Sequence, residues 1–577
     1  KSDEAGAKEP EAAAPPKEEA KAEAKPGARE VPKDFRIDLA GIMDRVVALP
    51  IPPASMRDLN AAKDTVYYVT SPVAGLSGPL AGEAAAIHAF DLKERKDAVV
   101  LAQADHFALS FDGKKLLYSA PKGAGGGEEE EEEAGPGART YGIIDAKPPE
   151  KEPHKVGEGA LNLTTMRAEI NPAEEWDQIF SEVWRQQRDY FFEAAMSGVD
   201  WNRERTKYAA LLPYAASRYD LNYVLGEMIG ELSTSHTYVG GGDYPNLKPV
   251  SVGVLGVDFE AEAAHGLYRF KKIYPGENWQ AALRSPLTEP GVGVKEGNYL
   301  LAVNGRALGA PRNPYELFVN TAEENVTLTV NDKPAEDGAR NVVVKPMASE
   351  FKLRELEMIN TNRRKVEEAT GGRVGYIYIP DMSASGLNEF VKQYFPQIRK
   401  EGMIIDVRYN GGGFVDQLIF ERLRRILVGM DSARNWESGT IPDNVFHGHM
   451  VCVTNEYAAS DGDIFTFYFK KYKLGPVVGM RTWGGVRGIR GYVPLMDGGY
   501  ITRPEFAVYG LDSQWVIENR GVEPDIVVDN PPDLVMKGRD PQLEKAIELV
   551  MKAIQEQPRR LPPRPADLPA YPRGPGM

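Results

Sequence analysis

The sequence has 577 residues, too many for one hydrophobic core, so we expect about three to five domains. Hydrophobic residues make up 42% and charged residues 27%, a balance typical of a globular protein. The net charge of −15 argues against nucleic acid or an anionic membrane surface as a partner, and it is compatible with cationic peptide substrates. No run of about 18 apolar residues occurs, so we predict no membrane span.

The single cysteine, Cys452, excludes a disulfide framework and a cysteine-ligated zinc site. It lies inside an apolar run, where a buried thiol is a poor nucleophile. We predict no metal and no other cofactor. The chain opens with Lys1 and polar residues rather than with methionine or an apolar signal core, so we expect a processed or truncated product and leave the compartment open.

Composition changes divide the first quarter of the chain. Residues 1–32 are rich in Ala, Pro, Glu and Lys and are predicted to be a disordered linker. Residues 33–148 carry short alternating strands at 65–69, 87–90 and 107–111, with a hairpin signal at Asp112-Gly113, which fits the last blades of a β-propeller. A propeller needs more blades to close, so we expect upstream sequence to be missing. The glycine and glutamate run at 123–137 is interpreted as a disordered loop.

The remainder predicts a multidomain α+β protein. Residues 165–245 have helical periodicity from Pro172, with a later helix capped by Asp220. Residues 248–348 resemble a PDZ domain, whose loop at 253–256 is expected to hold a peptide carboxylate; a β domain with no binding role is the alternative. Residues 351–556 alternate as an α/β domain, with strands at 374–379, 403–407, 450–453 and 477–478 and helices that include 417–427 and 540–555. The tail, 557–577, is Pro-rich and expected to be loose.

Ser460 lies between the apolar strand at 450–453 and a helix. A strand-to-helix turn presents a hydroxyl group and aims backbone N–H groups at any charge that develops beside it, which suits a nucleophile. The alternative is ordinary, because Ser460 and Asp463 also form the S-x-x-D pattern of a helix capping box.

Three further segments carry candidate chemistry. Of the seven histidines, His236 alone is flanked by hydroxyl residues at a helix end with glycines beyond, so it is the candidate general base; a structural histidine is the alternative. Residues 408–413, Arg-Tyr-Asn-Gly-Gly-Gly, can aim backbone N–H groups inward as an oxyanion site requires, or form a plain turn. Glu518, Glu523 or Asp525 could orient the base, or be exposed turn acids.

The motifs at 231–236, 408–413, 454–463, 481–486 and 518–525 together resemble the tricorn protease family, over roughly Lys33 to Pro563. The resemblance implies last propeller blades, a helical domain, a PDZ-like domain and a catalytic α/β domain. It also implies a serine endopeptidase that cuts peptides or unfolded chains, a homo-oligomer (a hexamer in the family) and a cytoplasmic location. A secreted or periplasmic location stays open. Most of the family's propeller sequence is absent from this chain, which leaves substrate gating undetermined.

Residue by residue, the resemblance implies that Ser460 attacks the scissile carbonyl and His236 takes its proton. Ser235 and Glu518 would orient the imidazole, completing a tetrad. The oxyanion would be held by the N–H groups of Asp461 and of a glycine in the triple run; Gly413 is favoured over Gly412. Asp431 would draw basic side chains into the specificity pocket.

The sequence disfavours two other mechanisms and leaves one other function open. A related mechanism uses a lysine base some 25 residues after the serine, but Gly485 occupies that place and no lysine lies between Lys473 and Lys537. An inactive PDZ-type scaffold that binds peptides is the alternative function. A metallohydrolase is disfavoured, because the His447-x-His449 pair has no acidic partner at ligand spacing.

Overall fold

A computed structural model describes residues 38–566, apart from 76–77, 81, 123–138, 148–151, 246 and 248. The predicted linker at 1–32, the glycine and glutamate loop and the end of the Pro-rich tail lie outside these residues. The chain divides into two compact units, one formed by residues up to 165 except 76–78, the other by 76–78 and 166–577. Across the described ranges, no helix combines the length and apolar character that crossing a membrane requires.

The first unit contains antiparallel sheets. One has the order β1-β2-β5-β6 and another the order β7-β8-β9. In β8 alternate side chains, Leu116, Tyr118 and Ala120, are fully buried, which accounts for the period-two pattern there, whereas β2 buries three consecutive side chains that end at Val69. The Asp112-Gly113 turn joins β7 to β8 as predicted. The strands of this part of the chain are β1 (Met56–Ala62), β2 (Thr65–Thr70), β3 (Ala74–Gly75), β4 (Gly78–Pro79), β5 (Ala86–Asp91), β6 (Lys96–Ala102), β7 (His106–Leu109), β8 (Lys115–Pro121) and β9 (Arg139–Asp145).

The second unit begins with a helical region of α1 (Pro172–Tyr190), α2 (Trp201–Ala209) and α3 (Arg218–Gly230), followed by the short strand β10 (Val239–Gly240). The predicted cap of α3 was wrong: Ser217, not Asp220, is the N-cap, and its side chain accepts the Asp220 N–H. Asp220 in turn accepts the Ala216 N–H at 3.0 Å. Ser217 and Asp220 therefore both cap the start of α3, a role that the sequence analysis gave to Asp220 alone.

The next region is an antiparallel sheet with the order β11-β12-β13-β15-β16, in which β14 pairs with β13. Its strands are β11 (Val257–Glu262), β12 (Leu267–Ile273), β13 (Tyr299–Val303), β14 (Arg306–Ala307), β15 (Val326–Asn331) and β16 (Arg340–Val344). Phe270, Leu300 and Leu328 are fully buried in its core. In this sheet β11 is an edge strand.

The last region is a five-stranded parallel sheet with the order β17-β18-β21-β22-β25. Helices cover both faces, so its strands are buried on both sides and appear in the sequence as continuous apolar runs. The elements are α4 (Phe351–Thr370), β17 (Val374–Tyr378), α5 (Ala384–Tyr394), β18 (Gly402–Asp406), α6 (Asp416–Leu423), β19 (Gly429–Asp431), β20 (Gly439–Ile441), β21 (His449–Thr454), α7 (Asp461–Lys471), β22 (Val477–Gly479), β23 (Tyr492–Pro494), β24 (Tyr500–Thr502), β25 (Ile526–Val527), α8 (Pro532–Val535) and α9 (Pro541–Glu556).

Two predictions for this sheet were incomplete. The strand β25 was not predicted, because it has only two residues. Helix α6 ends at Leu423 rather than at 427, because the chain then turns toward the β19–β20 hairpin, where the Val428 N–H bonds to Ile441 O at 2.9 Å. The parallel register of β18 and β21 brings the segments that follow them to the same edge of the sheet.

Candidate active site

Ser460 stands at the turn between β21 and α7, with φ 55° and ψ −119°. A non-glycine residue in this region is strained, and such strain is frequent at active sites. Although Ser460 occupies the N-cap position, its side chain makes no capping hydrogen bond. The hydroxyl is therefore not used for the capping role that the sequence left open.

The glycine run packs directly against this turn. Asn410 O accepts the Ala459 N–H at 2.9 Å, and a Cβ atom placed on Gly412 would lie 2.5 Å from Ser460 Cβ. The Gly412 N–H donates to Asn410 Oδ1 at 2.9 Å. Within the described part of the chain, no hydrogen bond uses the N–H of Gly413 or of Asp461. Two backbone donors beside Ser460 are thus available to a ligand.

Ser235, His236 and Glu518 form a connected polar group. Ser235 Oγ lies 3.0 Å from His236 Nδ1 and donates to Glu518 Oε2 at 3.2 Å. Glu518 Oε1 accepts the Ser235 N–H at 2.8 Å, and Oε2 accepts the N–H groups of Val486 and Arg487 at 2.8 and 3.1 Å. Because four bonds fix this carboxylate, it holds the serine hydroxyl in one direction.

The electrostatics of the histidine favour its neutral form. Burial lowers the pKa of His236, and the Glu518 charge opposes part of that shift. With Ser235 Oγ as the acceptor, the proton of neutral His236 sits on Nδ1 and leaves Nε2 as the basic nitrogen. The imidazole can therefore accept a proton at neutral pH.

Trp483 contacts both the turn that carries Ser460 and the His236 ring. Its backbone N–H donates to Ala458 O at 3.0 Å, two residues before Ser460, and its ring lies edge-on to His236 with centroids 6.2 Å apart. The next residue, Gly484, donates its N–H to Asp463 Oδ1 at 2.8 Å. Among the described residues no hydrogen bond joins Ser460 to His236, although Trp483 contacts both segments. Catalytic hydrogen bonds are often long without substrate and shorten in the complex.

Comparisons with known proteins identify the family. Residues 172–230 match the tricorn protease C1 domain, 253–349 the tricorn protease PDZ domain, and 373–528 peptidase family S41. Tricorn protease homolog 1 of Streptomyces coelicolor is 36% identical over 92% of this chain and 48% of its own length. The tricorn protease of Thermoplasma volcanium is 31% identical over 93% of this chain and 50% of its own. A crystal structure of the tricorn protease superposes with a TM-score of 0.76 at 31% identity, covering 88% of this chain and 47% of that one.

The chain belongs to the tricorn protease family. It spans about half the length of the curated relatives it matches. The resemblance drawn from the five sequence motifs is confirmed, and so is the PDZ domain. The propeller interpretation of residues 33–148 stays a prediction, since the family models match only segments after 171.

The loop at 253–256 of the PDZ domain does not offer the free N–H groups that we expected to hold a peptide carboxylate. Gly253 and Val254 donate their N–H groups to Phe318 O and Met347 O, both at 2.9 Å. The Gly256 N–H donates to the Glu350 carboxylate at 3.0 Å. These donors are satisfied within the chain, so they are not open to a peptide carboxylate as the sequence suggested.

Asp431 lies on the β19–β20 hairpin. It is the last residue of β19, is exposed, and pairs across the hairpin with Gly439. In the described chain its carboxylate takes part in no hydrogen bond or ion pair, and it is open to a cationic partner. The other acids considered as orienters have different contacts, since Asp525 pairs with Lys470 at 2.9 Å.

Sequence reasoning missed several residues that build the site. Asn410 fixes the glycine run by accepting the Gly412 N–H. Asn455 ties that loop to the one before Ser460 by accepting the Tyr409 N–H at 3.0 Å. Asp463 is fully buried; burial raises its pKa to about 6, while the Thr482 hydroxyl and the Gly484 N–H act in the opposite direction. Only the S-x-x-D spacing to Ser460 marked it. His449 Nε2 lies 2.7 Å from Gln557 O, and within the described ranges no cluster of three or more His, Cys, Asp or Glu residues is arranged to hold a metal ion.

Proposed function

We propose that this chain carries a serine endopeptidase site that hydrolyses peptides or unfolded chains. The observation that carries the proposal is the hydrogen-bonded Ser235–His236–Glu518 group, whose histidine contacts the Trp483 ring. The Trp483 backbone in turn bonds to the turn that carries Ser460, whose hydroxyl makes no hydrogen bond among the described residues. A nucleophile, a base and an orienting group are the components that acyl transfer requires.

The proposed reaction proceeds in two steps. Ser460 Oγ attacks the scissile carbonyl carbon, and its proton passes to His236 Nε2. The tetrahedral oxyanion accepts hydrogen bonds from the N–H groups of Asp461 and Gly413, and the Gly412 N–H holds this loop through its bond to Asn410 Oδ1. The imidazolium then gives its proton to the leaving amine, and water, deprotonated by the same histidine, hydrolyses the acyl-enzyme.

Ser235 and Glu518 are assigned a relay role. His236 Nδ1–H donates to Ser235 Oγ, and the Ser235 hydroxyl donates to Glu518. The negative carboxylate stabilises the imidazolium that forms during attack, through one intervening hydroxyl. A lysine base at 485 is disfavoured, because a Cβ atom there would lie 2.1 Å from the Trp483 ring.

A fluorophosphonate probe tests the nucleophile. We expect labelling of the intact protein that disappears in Ser460→Ala, and a loss of nearly all turnover in both Ser460→Ala and His236→Ala. Ser233→Ala is the matched control, since the Ser233 side chain is exposed and makes no hydrogen bond in the described chain. Absence of labelling in the unmodified protein would instead support the inactive peptide-binding scaffold.

We extend the proposal to a preference for Arg or Lys before the scissile bond, because Asp431 offers an unpaired, exposed carboxylate. Asp431→Asn should lower kcat/KM for such substrates by about ten-fold, the loss of one charge-assisted hydrogen bond. The same enzyme preparation assayed on an apolar substrate is the control. An equal loss on both substrates would dispose of this role.

Assembly into a homo-oligomer belongs to the same proposal, by likeness to the family. Light scattering of the purified chain measures its mass directly. A monomeric mass would refute the proposed assembly, and full peptidase activity in that monomer would show that catalysis does not need it.

A further inference from the structure

Two carboxyl groups are buried together beside the proposed oxyanion site. Asp416 begins α6 and Asp461 begins α7, and the two carboxyl groups interact electrostatically. Asp461 Oδ2 also accepts the Asp416 N–H at 3.3 Å. The two residues are only 3% and 5% exposed. Two interacting carboxyl groups that are this deeply buried need a compensating charge or a proton.

No cation supplies that compensation. Within the described part of the chain, neither carboxyl takes part in an ion pair. The other titratable group that faces them is Tyr468, on the next turns of α7, whose pKa is raised by burial and by the Asp416 charge. The backbone N–H of Gln417 donates to Asp416 and that of Val415 to Asp461, and each bond acts to lower the pKa of its carboxyl group. Two ionised carboxylates would repel, and one proton between them converts the repulsion into a hydrogen bond.

The pair connects the two halves of the proposed oxyanion site. Asp461 contributes its own N–H to that site, and Asp416 ends the loop that carries Gly413. The 3.3 Å bond from the Asp416 N–H to Asp461 Oδ2 holds the loop end to the start of α7. A change in the distance between the carboxyl groups therefore changes the distance between the two oxyanion donors.

We propose that Asp416 and Asp461 are positioning residues that share one proton and, while they share it, keep the two oxyanion donors at their working separation. This inference rests on the proposed peptidase function. When the shared proton is lost, repulsion drives the loop and the helix apart and turnover falls.

The direction of the pH effect follows from the carboxyl groups. Burial, and then the Asp416 charge, raise the pKa of Asp461 to about 7. The protonated pair is therefore complete in mildly acidic solution and is lost as the pH rises through about 7. His236 must be neutral to act as a base, so its protonation lowers kcat on the acid side of the pH profile, at a pH below its usual pKa because burial lowers that pKa. We expect a bell-shaped profile whose alkaline limb belongs to the acid pair.

The experiment compares the pH profiles of kcat for the unmodified chain, Asp416→Asn and Asp416→Ala. An amide in place of the carboxyl is neutral at every pH and still donates to Asp461. Asp416→Asn should keep kcat near pH 6 within about three-fold, leave KM unchanged, and move the alkaline limb up by more than one pH unit. Asp416→Ala removes the partner, so it should lower kcat about ten-fold or more across the whole range.

Controls separate this inference from the proposed function. Asp443→Asn changes an exposed carboxylate in the same domain and should reproduce the unmodified profile. The rate of fluorophosphonate labelling at each pH gives the same comparison without a peptide substrate. If labelling persists but the alkaline limb is identical in the unmodified chain and Asp416→Asn, the shared proton is refuted. Absence of any labelling of the unmodified chain would refute the peptidase proposal itself.

Discussion

Replacing Gly412 by alanine tests whether the glycine run is built to approach the nucleophile. Gly412 has φ +95°, and an added Cβ would lie 2.5 Å from Ser460 Cβ, 2.8 Å from Asp461 N and 2.9 Å from Ala459 O. The backbone conformation costs an L-residue about 1–2 kcal/mol, and the overpacking adds about 1–3 kcal/mol. The atoms that must move include one of the two proposed oxyanion donors.

We therefore expect Gly412→Ala to destabilise the α/β domain by about 2–5 kcal/mol and to lower kcat by about 10²- to 10³-fold, the usual effect of losing one oxyanion donor. Gly411→Ala is the matched control, because an added Cβ there meets no atom within 4 Å and its φ is not left-handed. Urea unfolding and turnover of a fluorogenic peptide measure the two effects. Unmodified kcat in Gly412→Ala, or an equal loss in Gly411→Ala, would refute the reasoning.

Three further outcomes are expected. Ser235→Ala should lower kcat about 10²-fold, because it breaks the link between the imidazole and its carboxylate, whereas Ser233→Ala should not; stopped-flow turnover measures both. The acid limb of kcat should lie below the ordinary histidine value of about 6.5, because burial lowers the pKa of His236. Arg408→Ala should cost about 3–5 kcal/mol in urea unfolding, since it leaves buried carboxylates unpaired, against less than about 0.5 kcal/mol for the exposed Arg306→Ala.

The sequence supplied the motifs of the site because those residues act through local chemistry. The serine between a strand and a helix, the glycine run after a strand and the histidine at a helix end are all visible in short windows. The strands of the parallel sheet were equally visible, because burial on both faces leaves continuous apolar runs. These features need no knowledge of which segments meet in space.

Other features depend on contacts between distant segments and could not be predicted. Asp416 and Asp461 are 45 positions apart, and nothing in either neighbourhood distinguishes a shared proton from two exposed helix-start acids. Glu350 satisfies the Gly256 N–H from 94 positions away, which the PDZ-like pattern did not reveal. Arg408 seemed part of the glycine motif, yet it ties β18 to the start of α9 through Asp540 at 2.9 Å.

The strained backbone supports the assignment of the nucleophile and the base by a separate route. Ser460 and His236 have φ values of 55° and 60°, conformations that cost about 1–3 kcal/mol each. Neighbours hold both in place: the Ala459 N–H bonds to Asn410 O at 2.9 Å, and the Thr502 hydroxyl donates to His236 O at 2.7 Å. Two distant segments both carry this cost where they meet Trp483, and strained residues are frequent at active sites, so the backbone agrees with the chemical roles proposed for Ser460 and His236.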